Sequence, residues 1–374
     1  MRMTLPPPPP GVHLTPLLLF YTINFGVVIL VVIGGGRYLL WLWDHGRFPP
    51  PASPPIWGRR ILTTGLGGLW LLDALLQFQP LMVTQFVSGM LAPLRVHQPA
   101  AIVSGLNVGM HLWGLNPAVS DVLAAWLQMI IGLLIVLGGE TGWRRTGLWL
   151  SVGWGLVVWV LGEGLGGVLT GGGWLSGIPG SALLYVVASL MVLAPIAWWQ
   201  SDRIVAVWWR VLGGLFLLAA ILQAWPPAGW WTSQLGRYLL VTARTPQPAW
   251  VSAPIFAWAR SALAHPAVWN AVLVALFTAL AIAWTLPIEP NHQLGRVRWW
   301  ATVVVGFITW WLGQDFGILG GMGTDPNTGG ILLLLLVAYG FQVGLFGPGR
   351  RRDAEPNQPQ PAEAGGRARP RSSA

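Results

Sequence analysis

Residues 118–138 read AVSDVLAAWLQMIIGLLIVLG, an unbroken apolar run whose single charge, Asp121, stands near its start. About 20 such residues, wound as a helix, cross a hydrocarbon core of roughly 30 Å. A helix on the surface of a soluble domain would instead show a polar stripe. This stretch therefore sets the fold class as all-α and membrane-integral. Outward from it, residues 14–42, 60–79, 146–169, 180–199, 204–224, 267–286, 297–319 and 329–347 pass the same test, which predicts about nine spans. The composition agrees: of 374 residues 54% are hydrophobic and 9% charged, with a mean hydropathy of +0.60. Soluble domains carry about 25% charged residues, so an ordinary cytoplasmic enzyme is excluded. The chain has no Cys, which removes disulfides, thiolate metal sites and cysteine nucleophiles. Its basic residues are all Arg, 21 of them, which removes a Schiff-base or phosphate-loop lysine.

The ends read differently. Residues 1–13 contain the polyproline run Pro6–Pro10, extended and solvated by composition, and 14–56 hold the first span and its loop. That span is too long for a cleaved signal peptide. Residues 348–374, rich in Arg, Pro, Gln and Ala, read as a disordered tail. Arg47, Arg59, Arg60, Arg144, Arg145, Arg203, Arg296, Arg298 and the tail arginines fall on one set of alternate loops. The excess of Arg marks that side as cytoplasmic, placing the N-terminus outside and the C-terminus inside a bacterial-type cytoplasmic membrane. The net charge of +9 thus reads as orientation in the membrane and not as nucleic-acid binding. Tryptophan pairs such as Trp198–Trp199, Trp208–Trp209 and Trp299–Trp300 fall near span ends, where indole rings favour the interface and membrane lipid.

The chain also repeats itself. Gly67–Gln77 (GGLWLLDALLQ) returns as Gly213–Gln223 (GGLFLLAAILQ), and Gln98-Pro99-Ala100 as Gln247-Pro248-Ala249. Asn116-Pro117-Ala118-Val119 returns as His265-Pro266-Ala267-Val268, Arg145 as Arg296, and Trp159–Gly166 as Trp310–Gly317. The offset stays between 146 and 151 residues. Two four-span repeats, 57–200 and 203–347, follow. Because four is even, both enter the membrane the same way round, related by an axis along the membrane normal.

Polar groups inside spans cost about 2.5–3.5 kcal/mol each at a helix centre and need a reason. At 1.5 Å per residue, Asp73 stands roughly 21 Å from Arg59, Glu163 roughly 27 Å from Arg145, and Asp315 roughly 25 Å from Arg298, all in the outer half of the bilayer. Gln77, Gln223 and Gln314 share that level, and Trp70, Asp73 and Gln77 lie on one helix stripe. Together they predict an outward-facing ligand cavity; interhelical hydrogen bonding is the plainer alternative. Glycine-rich loops follow Glu163 and Asp315, and irregular backbone at that depth requires cover from protein or water. Thr324-Asp325-Pro326-Asn327 could offer oxygens to a cation, although the acidic groups are too few for a dedicated calcium site. Amphipathic segments at Ala100–Trp113 and Trp250–Ala264 read as interfacial lids over the outer mouth. No span interior carries a His, so transmembrane haem is not expected, nor is a loop metal site on His97, His111 and His265.

Within each repeat an Arg precedes a Gly-rich first span (Arg60 with Gly65, Gly67 and Gly68; Arg210 with Gly213 and Gly214), and a Pro opens the second (Pro117, Pro266). A short Arg loop then leads to the third (Arg144, Arg145; Arg296, Arg298). This pattern resembles the DoxX-like superfamily of four-span membrane proteins, here as a fused tandem pair. The motifs Gly162–Gly167 and Thr324–Asn327 are similar to those of uncharacterised actinobacterial-type membrane proteins. The resemblance implies an accessory or assembly subunit of a respiratory or redox membrane complex, with other membrane subunits as partners and a quinone or lipid in the outer pocket. The thiol chemistry of some members does not carry over to a chain without Cys. The intramembrane carboxylates imply the alternative, a small-solute or proton-coupled permease. An enzyme acting on a lipid-linked substrate ranks last, because no nucleophile constellation or metal motif accompanies Glu163 and Asp315.

Overall fold

The computed structural model describes residues 56–346 except Thr141, Asn291 and 320–322, together with a few positions between Ile23 and Arg37. The segments predicted over 1–13 and 348–374, and most of 14–42, lie outside the described residues. In chain order the helices are α1 (Trp57–Gln77), α2 (Pro80–Gln85), α3 (Ala100–Leu115), α4 (Pro117–Leu137), α5 (Gly142–Val157), α6 (Ser181–Leu193) and α7 (Ile196–Trp199). They continue as α8 (Arg203–Ala224), α9 (Gln234–Arg244), α10 (Ala249–Ala264), α11 (Pro266–Thr285), α12 (Gln293–Gln314) and α13 (Asn327–Gln342). A π-helical turn, Val158–Gly162, extends α5, and among the described residues there is no strand.

Among the described residues four helices are long and apolar enough to cross a membrane: α4, α5 with its π turn, α8 and α11. A fifth span results if α1 and the segment 81–95, bent by 74° from it, are counted as one. Leu123 and Ile130 of α4, Leu217 and Ile221 of α8, and Val272 and Ile282 of α11 remain exposed, an apolar exterior suited to lipid. The other expected spans take different forms. α12 matches α8 in length but begins with Arg296 and Arg298. α6 and α13, of 13 and 16 residues, rise only about 20 and 24 Å. α6 stops early because Pro195, which lacks an amide proton, follows its end.

Local chemistry sets the helix starts. Pro117 and Pro266 open α4 and α11 at the position where a missing amide proton costs nothing. The Asn116 side chain accepts from Val119 N at 3.3 Å. α1 packs along α4 and α8 along α11, while α13 lies against α1 and α12, and α6 against α5 and α13. Gly67 and Gly132 make the α1–α4 crossing close: a Cβ on Gly132 would stand 2.8 Å from Gly67 O.

One end of the bundle carries Arg59, Arg60, Arg144 and Arg298. Glu140 binds Arg59 and Arg144 at 2.8 Å each, and Arg144 Nε caps the end of α4 through Ile135 O at 3.0 Å. Partial burial works against the Glu140 charge, but Arg59, Arg144 and Arg60 prevail and hold its carboxyl below the ordinary glutamate range. Arg298 is buried 4.3 Å from the Trp284 ring centroid and 5.4 Å from that of Trp209. It donates to Ala283 O at 3.0 Å and Leu286 O at 3.4 Å, where the α11 dipole favours a cation.

At the opposite end the glycine-rich loops exchange sides. The loop after α5 reaches the second half, where Trp174 Nε1 donates to Thr309 Oγ1 of α12 at 2.9 Å and Gly171 O accepts from Trp230 Nε1 at 3.0 Å. The loop after α12 reaches the first half, where Gly323 O accepts from Gln79 Nε2. Thr328 Oγ1 donates to Gly177 O and ties one loop to the other. The turn in the first loop needs glycine at 166: φ is +63°, and a Cβ there would lie 1.9 Å from Pro179 O.

Candidate functional site

The α1 stripe is anchored from below. Trp70 Nε1 donates to Ser151 Oγ at 2.7 Å, Ser151 and Ser189 share a hydrogen bond of 2.7 Å, and the edge of Tyr185 meets the Trp70 ring with centroids 4.9 Å apart. A turn further along, Asp73 is buried with the Tyr185 hydroxyl beside its carboxyl, and Asp73 Oδ1 has no hydrogen-bond partner. One turn beyond, Gln77 Nε2 donates to Asp121 Oδ1 at 2.7 Å, fixing α1 to α4.

Glu163 arrives from the end of the π turn. Its Oε1 accepts from Ser181 Oγ at 2.7 Å and from Ala182 N at 3.1 Å, so the carboxylate sits at the N-terminus of α6, where the helix dipole favours it. Oε2 is left without a partner. Asp325 comes from the exchanged loop of the second half. Thr324 Oγ1 donates to its Oδ2 at 3.1 Å and Asn327 N to its Oδ1 at 2.6 Å, while Ser181 stands between it and Glu163. Burial lifts the Asp325 carboxyl above the ordinary aspartate range, against these hydrogen bonds.

The three carboxylates line one cavity of about 710 Å³, walled by α1, α3, α4, α5, α6 and the two loops. No Arg, Lys or His is among the described residues that line it. Gln128 Oε1 and the indole nitrogens of Trp113 and Trp154, which also line it, have no hydrogen-bond partner. A buried polar atom without a partner costs about 1–3 kcal/mol, and an unpaired buried charge more. Around this space several polar atoms are thus left with unused hydrogen-bonding capacity. Among the described residues no three of His, Asp or Glu are close enough together to hold a metal ion.

The sequence-predicted residues divide between places. Trp70, Asp73, Gln77 and Glu163 line the large cavity. Gln314 and Asp315 line a separate pocket of about 240 Å³ with Tyr238 and Thr245, whose Oγ1 donates to Asp315 Oδ2 at 3.3 Å. Gln223 lines neither; its Nε2 donates to Asn270 Oδ1 at 2.7 Å inside the second half. Sequence reasoning passed over Ser181, Tyr185 and Gln128 and weighed Asp325 only as a cation ligand. The polar positions Gln128 and Tyr185, within otherwise apolar helices, were the available signal.

No known protein family, characterised protein or solved structure matches the chain.

Proposed function

We propose that the chain is a small-solute permease of the proton-coupled kind, nine-spanning, with its N-terminus outside and its acidic cavity opening to the outer face. The observation that carries this reading is the set of three carboxylates, the buried Asp73 and the partly exposed Glu163 and Asp325, around one cavity whose described lining includes no basic residue. Such a site favours a solute with a positive charge or several hydrogen-bond donors. A carboxylate relieved of its solute takes up a proton in its place, the exchange on which coupling depends.

The tandem layout belongs to the same reading, and three hydrogen bonds that recur in both halves support it. Gln77–Asp121 and Gln223–Asn270 are both 2.7 Å. Trp159 Nε1 donates to Pro179 O at 2.8 Å, as Trp310 Nε1 does to Pro326 O at 2.6 Å. Ala182 N donates to Glu163 Oε1 at 3.1 Å, as Gly329 N does to Gln314 Oε1 at 3.0 Å. Parallel repeats with a site at membrane depth are a transporter architecture.

The test is flux in proteoliposomes carrying an internal pH dye, with choline, ethanolamine and tryptamine added outside. At least one of these cations should move protons faster than in protein-free vesicles, and Asp73→Asn should abolish the difference. Equal signals with and without protein for the whole panel would discard the permease reading.

A second reading, the redox-complex subunit with a quinone or lipid in the pocket, draws on the apolar wall formed by Leu112, Leu123, Leu127, Val157 and Leu161. It follows the DoxX-like resemblance. Native mass spectrometry of gently solubilised protein separates the two: a bound quinone or a stoichiometric partner subunit favours the second reading, and a bare chain favours the first.

A further inference from the structure

The two halves differ most where the cavity lies. By the alignment of the repeats, Trp70, Gln128, Val158 and Gly162, which line it, correspond to Phe216, Phe277, Thr309 and Gly313. In the second half those four residues surround the side chains of Trp174 and Leu175, delivered by the exchanged loop. The Trp174 ring centroid stands 5.2 Å from that of Phe216 and 5.9 Å from that of Phe277, and its Nε1 donates to Thr309 Oγ1 at 2.9 Å. Leu175 lies against Gly313 so closely that a Cβ there would meet Leu175 O at 2.9 Å. Both side chains are fully buried. The counterpart of the cavity is thus filled, and an indole fills it.

The acidic groups are missing from that filled copy. Asp73 corresponds to Ala219, Asp121 to Asn270 and Glu163 to Gln314. With Pro179 and Pro326 paired by their shared tryptophan bond, Tyr185 corresponds to Leu332 and Trp174 itself to Gly321.

We infer that the open cavity takes a flat aromatic amine, with a ring the size of an indole placed beside Trp70 and Gln128 and a protonated nitrogen placed among Asp73, Glu163 and Asp325. This rests on the cation-binding reading of the site. Trp174 supplies the template for the ring, because the chain itself packs an indole, with its N–H bonded, in the equivalent space. The carboxylates, which the filled copy lacks, supply what an indole does not need and an ammonium does: Asp73 Oδ1 and Glu163 Oε2 are acceptors without partners. The remainder of the cavity, toward α3 and α4, leaves room for a substituent.

Calorimetric titration of the purified full chain in detergent with tryptamine, n-butylammonium and neutral indole tests this. Tryptamine should bind about tenfold more tightly than either of the others, since only it engages both the ring site and the carboxylates. Val158→Trp, which puts an indole from the chain itself into the ring site, should weaken tryptamine at least about tenfold. Equal affinities for tryptamine and n-butylammonium overturn the inference and leave the cation-binding reading standing. So does a folded Val158→Trp protein that binds tryptamine as the unaltered chain does. If neither ammonium probe binds, the reading beneath fails, and the inference with it. The comparison of the three probes on the unaltered chain stands whether or not the variant folds.

Discussion

Asn270 shows how much one amide supports in the absence of water. It accepts from Gln223 Nε2 and donates to Gln223 O at 3.2 Å, and both residues are buried. Asn270→Leu leaves Gln223 without its acceptor, so we expect about 1–3 kcal/mol of destabilisation, seen as a lower thermal midpoint in detergent. Asp121→Asn should cost less than about 1 kcal/mol, because it keeps an oxygen for Gln77 and reproduces the pair the second half already uses. Asp73 and Glu163 were legible in the sequence because a charge within an apolar run is conspicuous. Asp325 was not, since it sits in a loop whose path into the first half depends on contacts from the other half. Depth counted from an arginine gives height along a helix and nothing about which loop crosses to meet it. For the same reason Gln223, Gln314 and Asp315, expected at the same level, lie in other surroundings.

At the scale of the element, hydropathy located α4, α8 and α11 closely, and Pro117 and Pro266 marked two starts to the residue, whereas the span expected over 146–169 runs from Gly142 to Gly162 and its remainder is loop. It overran α6, joining 180–199 across Pro195, because a window average cannot register a missing amide proton. The bend of 74° after α1 was equally hidden, since Gln79 and Pro80 interrupt the helix without interrupting the apolar composition. The loop after α5 is the element most exposed to a single change. Gly166→Ala demands a positive φ of an L side chain and drives its Cβ into Pro179 O. We expect a loss of at least about 2 kcal/mol, measured as a fall in thermal midpoint, with Trp174 fluorescence shifting red as its loop loosens.

For the whole molecule, the arginine-bearing end sets a limit on acid tolerance. Glu140 titrates below its usual 4.5 when folded, so its contribution is complete above that value and is lost as the pH falls through the lower, folded one. Melting curves from pH 7 downward should separate Glu140→Gln from the unaltered chain at neutral pH and bring the two together in acid. At the other end, the tandem-repeat reading proposed above gives the loop exchange a historical consequence. Two identical subunits joined by such a swap must carry every residue twice, so a plug in one pocket would be a plug in both. Once the two copies share a single chain, they are free to specialise: one keeps its acids and an empty chamber, and the other gives up its own chamber to a tryptophan. A symmetric dimer could not have evolved Trp174 in that position without closing itself.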